Sequence, residues 1–88
     1  MDVKDLKYFI AAYEAKSFSG ATGTLGTVQS NVSLRIRNLE DFLGVPLFKR
    51  LHRSVLPTAQ GDVLYRHAKH VIATMDETER AIRQNRAA

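Results

Sequence analysis

The sequence lacks cysteine altogether and contains no long run of apolar residues. Without cysteine the chain can form neither disulfides nor thiolate metal sites, and we predict no cofactor and no metal centre. No segment approaches the ~18 consecutive apolar residues that span a membrane. The N-terminal segment MDVKDLKYF also lacks the basic-then-apolar order of a signal peptide. These absences predict a cytoplasmic protein that has no membrane partner.

Basic residues are unevenly distributed along the chain. The 88 residues carry a formal net charge of +4. Residues 28–58 contain five Lys or Arg and only two Asp or Glu, whereas residues 1–27 are balanced. A chain of this size forms one domain that buries only roughly 60–65% of its unfolded surface, so a second copy would help to stabilise it. The charge excess in the middle third favours a polyanionic partner.

Two helices are predicted in the first third of the chain. Apolar residues recur at spacings of three and four over residues 2–15, which predicts an amphipathic helix with Asp2 as its cap. Ser17 can cap a short second helix that starts at Phe18. Gly26 ends that helix, since glycine readily adopts the left-handed conformation that follows a helix.

A third helix is predicted from about Gln29 to Leu43. Its apolar residues follow steps of four, three and four, and its polar residues lie off that stripe. The segment 44–46 ends it, because Pro46 cannot continue a helix. The apolar stripe of this helix consists of Val32, Ile36, Leu39 and Leu43.

A small hairpin and a long helix are predicted in the last third. Residues 47–57 have apolar ends and a basic centre, and Pro57 confines the second strand to an edge. Thr58 can cap a final helix that runs from Ala59 almost to the C-terminus. The apolar stripe of that helix extends too far to be covered by a domain of 58 residues, which predicts pairing with a second copy. The predicted dimer contacts are Leu64, Ala68, Val71, Ile72, Met75 and Ile82.

This order of elements predicts a mostly α fold, a winged helix-turn-helix with a three-helix core and a β-hairpin wing. We assign residues 1–58 to this domain, with the helix-turn-helix at about 18–37, and residues 59–88 to a linker and dimerisation helix. A DNA major groove admits one α-helix, whose first residues read base edges, while a basic wing reaches phosphates or the minor groove. The predicted DNA contacts are Ser17, Gln29, Ser30, Ser33, Arg35, Arg37, Arg50 and Arg53.

Three segments resemble the LysR-type transcriptional regulators, and together the resemblance extends over residues 1–88. They are LKYFIAAYEAKSFSGA at 6–21, VQSNVSLRIRNLEDFLGVPLFKR at 28–50 and PTAQG at 57–61. The resemblance implies an N-terminal DNA-binding domain and a linker helix, which in the family precede a domain that senses a small effector. That effector domain is absent from these 88 residues, so the effector and any tetramer would belong to a longer protein.

The resemblance also implies residue roles, and the chain departs from the family pattern at four positions. It implies groove contacts for Gln29, Ser30 and Ser33, wing contacts for Arg50 and Arg53, and dimerisation through residues 59–82. Thr22 stands where the family usually has a second Ala, and Gly23 stands at a position that is often charged. Val28 stands where Ser or Thr is usual, and Leu34 stands where Arg is frequent.

The predicted function is sequence-specific binding of double-stranded DNA by a homodimer at an imperfect palindrome, in the cytoplasm and on the nucleoid. No nucleophile is paired with a base in the sequence, so we predict that the chain is not an enzyme. Two other functions are compatible with the pattern. A winged helix can be a protein-interaction module, or the chain can be an architectural DNA binder without sequence preference.

Overall fold

A computed structural model describes residues 1–86 of the chain. The last two residues of the predicted linker helix, 87 and 88, lie outside the described residues. The described part contains four helices and one two-stranded antiparallel sheet. In chain order these are α1 (Val3–Ala15), α2 (Thr22–Leu25), α3 (Gln29–Leu43), β1 (Phe48–Arg50), β2 (Val55–Pro57) and α4 (Ala59–Gln84). The mostly α winged helix-turn-helix with a long final helix is therefore confirmed.

Local hydrogen bonds explain where the long helices begin. Asp2 and Asp5 form a capping box at α1, in which each side chain accepts a hydrogen bond from the other's backbone N–H, at 2.8 and 2.9 Å. Thr58 caps α4 by accepting a hydrogen bond from the Gly61 N–H at 3.1 Å. Helix α3 starts after Val28, whose side chain cannot accept a hydrogen bond, so α3 has no side-chain cap.

The second helix is shorter than the sequence suggests. It spans only Thr22–Leu25, and residues 17–21 form turns. Ser17 accepts a hydrogen bond from the Gly20 N–H at 3.0 Å, so it stabilises this turn and does not cap α2. The predicted end at Gly26 is correct, since its φ of 65° is left-handed. Two nearby glycines, Gly20 and Gly23, weaken the helical preference here, which explains the shortening.

One apolar core joins α1, α3 and the hairpin, and Leu25 of α2 and Leu64 of α4 pack against it. Phe9, Val32, Ile36 and Leu47 are its largest fully buried side chains, and all are at most 1% exposed. Phe9 lies with its ring centroid 5.3 Å from that of Phe48, which connects α1 to the hairpin. Val32, Ile36 and Leu39 of the stripe predicted for α3 lie in this core, whereas Leu43, the fourth residue of the stripe, is 36% exposed at the end of the helix. The opposite side of α3 faces solvent.

The hairpin is short and is joined to both neighbouring helices. Phe48 pairs with Pro57 and Arg50 pairs with Val55 in the antiparallel register, so Pro57 occupies an edge position as predicted. Glu40 at the end of α3 accepts hydrogen bonds from the backbone N–H groups of Leu47 at 2.7 Å and Phe48 at 3.3 Å. These bonds hold the wing in a defined position beside the C-terminal half of α3.

Candidate nucleic-acid interface

The polar side chains predicted to read DNA lie on the solvent side of α3. Gln29, Ser30 and Arg37 are exposed, and Ser33 is half-buried between them and the core. Because α3 has 3.6 residues per turn, residues 30, 33 and 37 succeed one another along one face. The face is therefore a row of short polar groups that ends in a cation. Arg37 forms no ion pair with any residue of the described part.

A groove between the start of α3 and the wing brings four predicted contacts together. Ser17, Gln29, Arg50 and Arg53 line the same groove, whose volume is about 220 Å³. Ser17 reaches it from the turn after α1, and Gln29 from the first turn of α3. The two arginines reach it from the wing. Side chains from three separate parts of the sequence thus converge on one surface.

The two wing arginines differ in how freely they can meet a phosphate. Arg50 forms an ion pair with Glu40 at 3.1 Å, and its guanidinium lies 5.3 Å from the centre of the Phe18 ring. Arg53 is exposed near the tip of the wing and forms no ion pair within residues 1–86. Of the two wing arginines, Arg53 therefore carries the larger unneutralised charge, whereas the charge of Arg50 is partly neutralised by Glu40 of α3.

Arg35 has a different environment from the one the sequence suggests. Its guanidinium contacts the Asp5 carboxylate at 2.8 Å and lies 4.8 Å from the centre of the Tyr8 ring. Burial raises the pKa of Asp5, but the Asp2 backbone hydrogen bond and the Arg35 guanidinium more than offset this and lower that pKa. Arg35 therefore joins α3 to α1 and its charge is already paired, so the structure does not favour the DNA contact predicted for it, which stays a prediction.

Two further residues belong to this surface and were not among the predicted contacts. His52 lines the groove beside Arg53, and its position between two arginines in the basic centre of the hairpin was the available sequence signal. Leu34 is 55% exposed in the second turn of α3. The family resemblance indicated only that Leu34 replaces a frequent arginine.

The long helix α4 divides into a buried and an exposed part. Ala68 is only 1% exposed, and Leu64 packs against the core. These two residues were predicted as dimer contacts, but Ala68 is covered and Leu64 is partly covered by their own domain, because α4 lies across α1 and the hairpin there. The same stripe continues beyond that contact with Val71 and Met75 at 41% exposure and Ile82 at 69%.

A pair of stacked tyrosines fixes α4 against α1. The rings of Tyr13 and Tyr65 are nearly parallel, 7° apart in plane, with centroids 3.9 Å apart. Tyr13 donates a hydrogen bond to Asp62 at 2.7 Å, which raises the pKa of Tyr13. Tyr65 donates one to Glu14 at 2.6 Å, which lowers the pKa of Glu14. Both crossed bonds join α1 to α4, so the direction in which α4 leaves the domain is defined.

Ile72 lies at the boundary between the two parts of α4. It lines an apolar groove of about 430 Å³ between α1, α2 and α4, together with Ile10 and Leu25. The predicted contact Ile72 is therefore half-buried beside its own domain, with one side open to solvent. No helix within residues 1–86 combines the length and apolarity needed to cross a membrane.

Comparisons with known proteins agree with this geometry. A family model described as a bacterial regulatory helix-turn-helix protein of the lysR family matches residues 3–62. The HTH-type transcriptional regulator YofA of Bacillus subtilis is 38% identical over 86 residues, which cover 98% of this chain and 30% of YofA. BenM of Acinetobacter baylyi is 35% identical over 77 residues, or 88% of this chain and 25% of BenM. The chain thus spans about a third or less of these two relatives.

Two solved complexes of DNA-binding domains with DNA have the same fold. The CbnR domain in its DNA complex superimposes with a TM-score of 0.92 at 31% identity, covering 96% of this chain and 97% of that one. The BenM domain bound to benA site 1 DNA gives a TM-score of 0.91 at 32% identity, covering 96% and 94%. This chain therefore belongs to the lysR family of bacterial regulatory helix-turn-helix proteins, and it has the winged-helix fold of their DNA-binding domains.

Proposed function

We propose that this chain is the DNA-binding domain of a LysR-type transcriptional regulator and that it binds double-stranded DNA sequence-specifically as a homodimer. The observation that carries the proposal is the convergence of Ser17, Gln29, Arg50 and Arg53 on one groove beside the polar face of α3. In this arrangement α3 occupies the major groove and the wing lies on the phosphates or in the minor groove. Residues 1–58 recognise DNA, and α4 (Ala59–Gln84) is the linker helix.

The chemistry of the surface supports separate tasks for its two parts. Gln29, Ser30 and Ser33 offer short donors and acceptors, which suit base edges. Arg37 and Arg53 carry charges that no acidic side chain of the described part neutralises, and such charges suit phosphates. We assign the chain no catalysis, in keeping with its relatives, which are named as transcriptional regulators.

The exposed part of α4 supports the homodimer. Helix α4 has 26 residues and is therefore about 39 Å long, which carries its second half beyond the domain. Val71, Met75 and Ile82 form an exposed apolar row there, and a second copy would bury it. A two-fold dimer presents two recognition helices, so the preferred site is an imperfect palindrome. A tetramer and a small effector would belong to a longer protein in the cytoplasm, bound to the nucleoid.

Selection of bound duplexes from a random DNA library tests the proposal. We expect a preferred sequence with two related half-sites separated by about one helical turn. Ser33→Ala should weaken binding to that site and leave random DNA nearly unchanged, since one good base contact contributes about 1–3 kcal/mol of discrimination. Gln84→Ala, a change at the exposed C-terminal end of α4 and away from the Val71 row, is the control.

The other two functions give different results in the same experiment. An architectural binder would retain all duplexes equally, and Ser33→Ala would then weaken every duplex to the same extent. A protein-interaction module would retain none, even at low salt, and Arg53→Ala would have no effect on the recovered DNA. Either result contradicts the proposed function.

A further inference from the structure

Leu34 is an exposed apolar residue in the middle of the polar face of α3. Its side chain is 55% exposed. Single exposed leucines are common on protein surfaces, so exposure alone has no meaning. The side chains around Leu34 indicate whether it can contact a ligand.

All the side chains next to Leu34 are polar. On a helix the neighbours are the residues three and four positions away, which here are Ser30, Asn31, Arg37 and Asn38. The shallow hollow beside Leu34 is lined otherwise by Asp5, Asn31, Arg35 and Asn38. Asn31 donates hydrogen bonds to the Tyr8 hydroxyl at 3.2 Å and to Thr27 Oγ1 at 2.9 Å. Leu34 therefore has no apolar neighbour to cover it within its own domain.

We propose that Leu34 recognises the C5-methyl group of a pyrimidine, normally thymine, in the major groove. This inference rests on the proposed function, since it requires α3 to lie in that groove. Thymine is the only DNA base whose major-groove edge carries a methyl group, and that methyl is read by apolar contact. Leu34 lies one turn after Ser30 and one turn before Arg37 and Asn38, so it is central on the face that the groove encloses.

This proposal gives Leu34 a function of its own, at a position where the family frequently has an arginine. A leucine offers no hydrogen bond, so it cannot distinguish purine N7 and O6 atoms. Leu34 can contribute to the binding free energy only by removing water from an apolar group of the DNA. The contact therefore selects thymine over cytosine at one position of each half-site and contributes nothing to phosphate binding.

Replacement of thymine by deoxyuridine tests this contact, because only the methyl group is removed. The preferred duplex is prepared with each thymine replaced in turn, and the affinity of the intact chain is measured by fluorescence anisotropy. For one thymine in each half-site we expect about fourfold weaker binding, which corresponds to the ~0.8 kcal/mol of one buried methyl-sized group. At the same position 5-methylcytosine should bind more tightly than cytosine.

The Leu34→Ala variant shows whether the methyl effect passes through Leu34. Alanine is a good helix former and position 34 is exposed, so the variant should fold normally, as circular dichroism can check. In this variant the deoxyuridine penalty at the critical thymine should disappear. Phe42→Ala removes another exposed apolar side chain, 68% exposed and near the C-terminal end of α3, and should keep the full penalty.

The possible failures are distinguishable. If a preferred duplex exists but no thymine shows a penalty, Leu34 does not read a methyl group and this inference is overturned alone. The same conclusion holds if Leu34→Ala retains the penalty, since the methyl then acts on DNA shape or on another residue. If no duplex is preferred, the proposed function is overturned as well.

Discussion

Gly61 of α4 lies against the backbone of Leu47 and the side chain of Pro57, at the two ends of the hairpin. A β-carbon at this position would overlap the backbone carbonyl oxygen of Leu47 and would lie 3.2 Å from its carbonyl carbon. That oxygen also accepts a hydrogen bond from the Thr58 N–H at 2.9 Å. Gly61→Ala must therefore separate α4 from the hairpin, because the opposing atoms are backbone and cannot rotate away. The glycine of the PTAQG segment is required by this contact.

The free energy of unfolding should fall by about 2 kcal/mol in Gly61→Ala. Forcing extra volume into a packed contact costs about 1–3 kcal/mol, and weakening one hydrogen bond costs about 0.5–1.5 kcal/mol. The better helix propensity of alanine returns only about 0.5–1 kcal/mol. The matched control is Gly23→Ala in α2, where a β-carbon meets no atom within 4 Å. This control should gain up to about 1 kcal/mol.

Thermal and urea unfolding at one fixed protein concentration measure both variants, since dimer formation makes stability depend on concentration. For a domain of this size, 1 kcal/mol corresponds to about 4–8 °C in Tm. Gly61→Ala should therefore melt roughly 8–16 °C lower, and Gly23→Ala slightly higher than the wild type. Equal or opposite shifts of the two variants would refute the assignment of Gly61 as a close-approach glycine.

Three further predictions concern charge, pairing and capping. Arg53→Ala should reduce the slope of log affinity against log salt concentration by about 0.9. Arg35→Ala should leave the slope nearly unchanged, because Arg35 is already paired with Asp5. Equal changes of slope in the two variants would contradict the proposed difference between these arginines. Val71→Asp should shift the dimer towards monomer in sedimentation at micromolar concentration, whereas Gln84→Asp, on the opposite side of α4, should not. Identical species for both variants would remove Val71 from the interface. Val28→Ser should raise the free energy of unfolding by about 0.5–2 kcal/mol by capping α3, and a lower Tm would show that Val28 makes a contact that matters more.

Local patterns in the sequence were sufficient for most helix boundaries. The third helix has the predicted bounds, and the caps at Asp2 and Thr58 are confirmed. These features depend on residues three or four positions apart, which periodicity and capping preferences describe directly. The second helix was the exception, since it begins at Thr22 and not at Phe18. Gly20 and Gly23 weaken the local helical preference, and the residues before the helix, Phe18 and Ala21, are buried in the core.

The roles of individual arginines and of the linker stripe depended on contacts between distant segments. Arg35 and Arg37 are both arginines on α3 and the sequence does not distinguish them. In the structure Arg35 forms an ion pair with Asp5, thirty positions away, whereas Arg37 forms no ion pair within residues 1–86. Likewise one apolar stripe on α4 contains both the buried Ala68 and the exposed Val71.

The sequence by itself determined the order of elements, the polar face of α3 and the basic wing, because each follows from spacing within one segment. Only the tertiary structure decided which charges remain free, which part of α4 is left for a partner, and why position 61 must be glycine. Those outcomes depend on contacts between segments that are distant in the sequence. Such contacts determine burial and ion pairing, and local residue preferences do not.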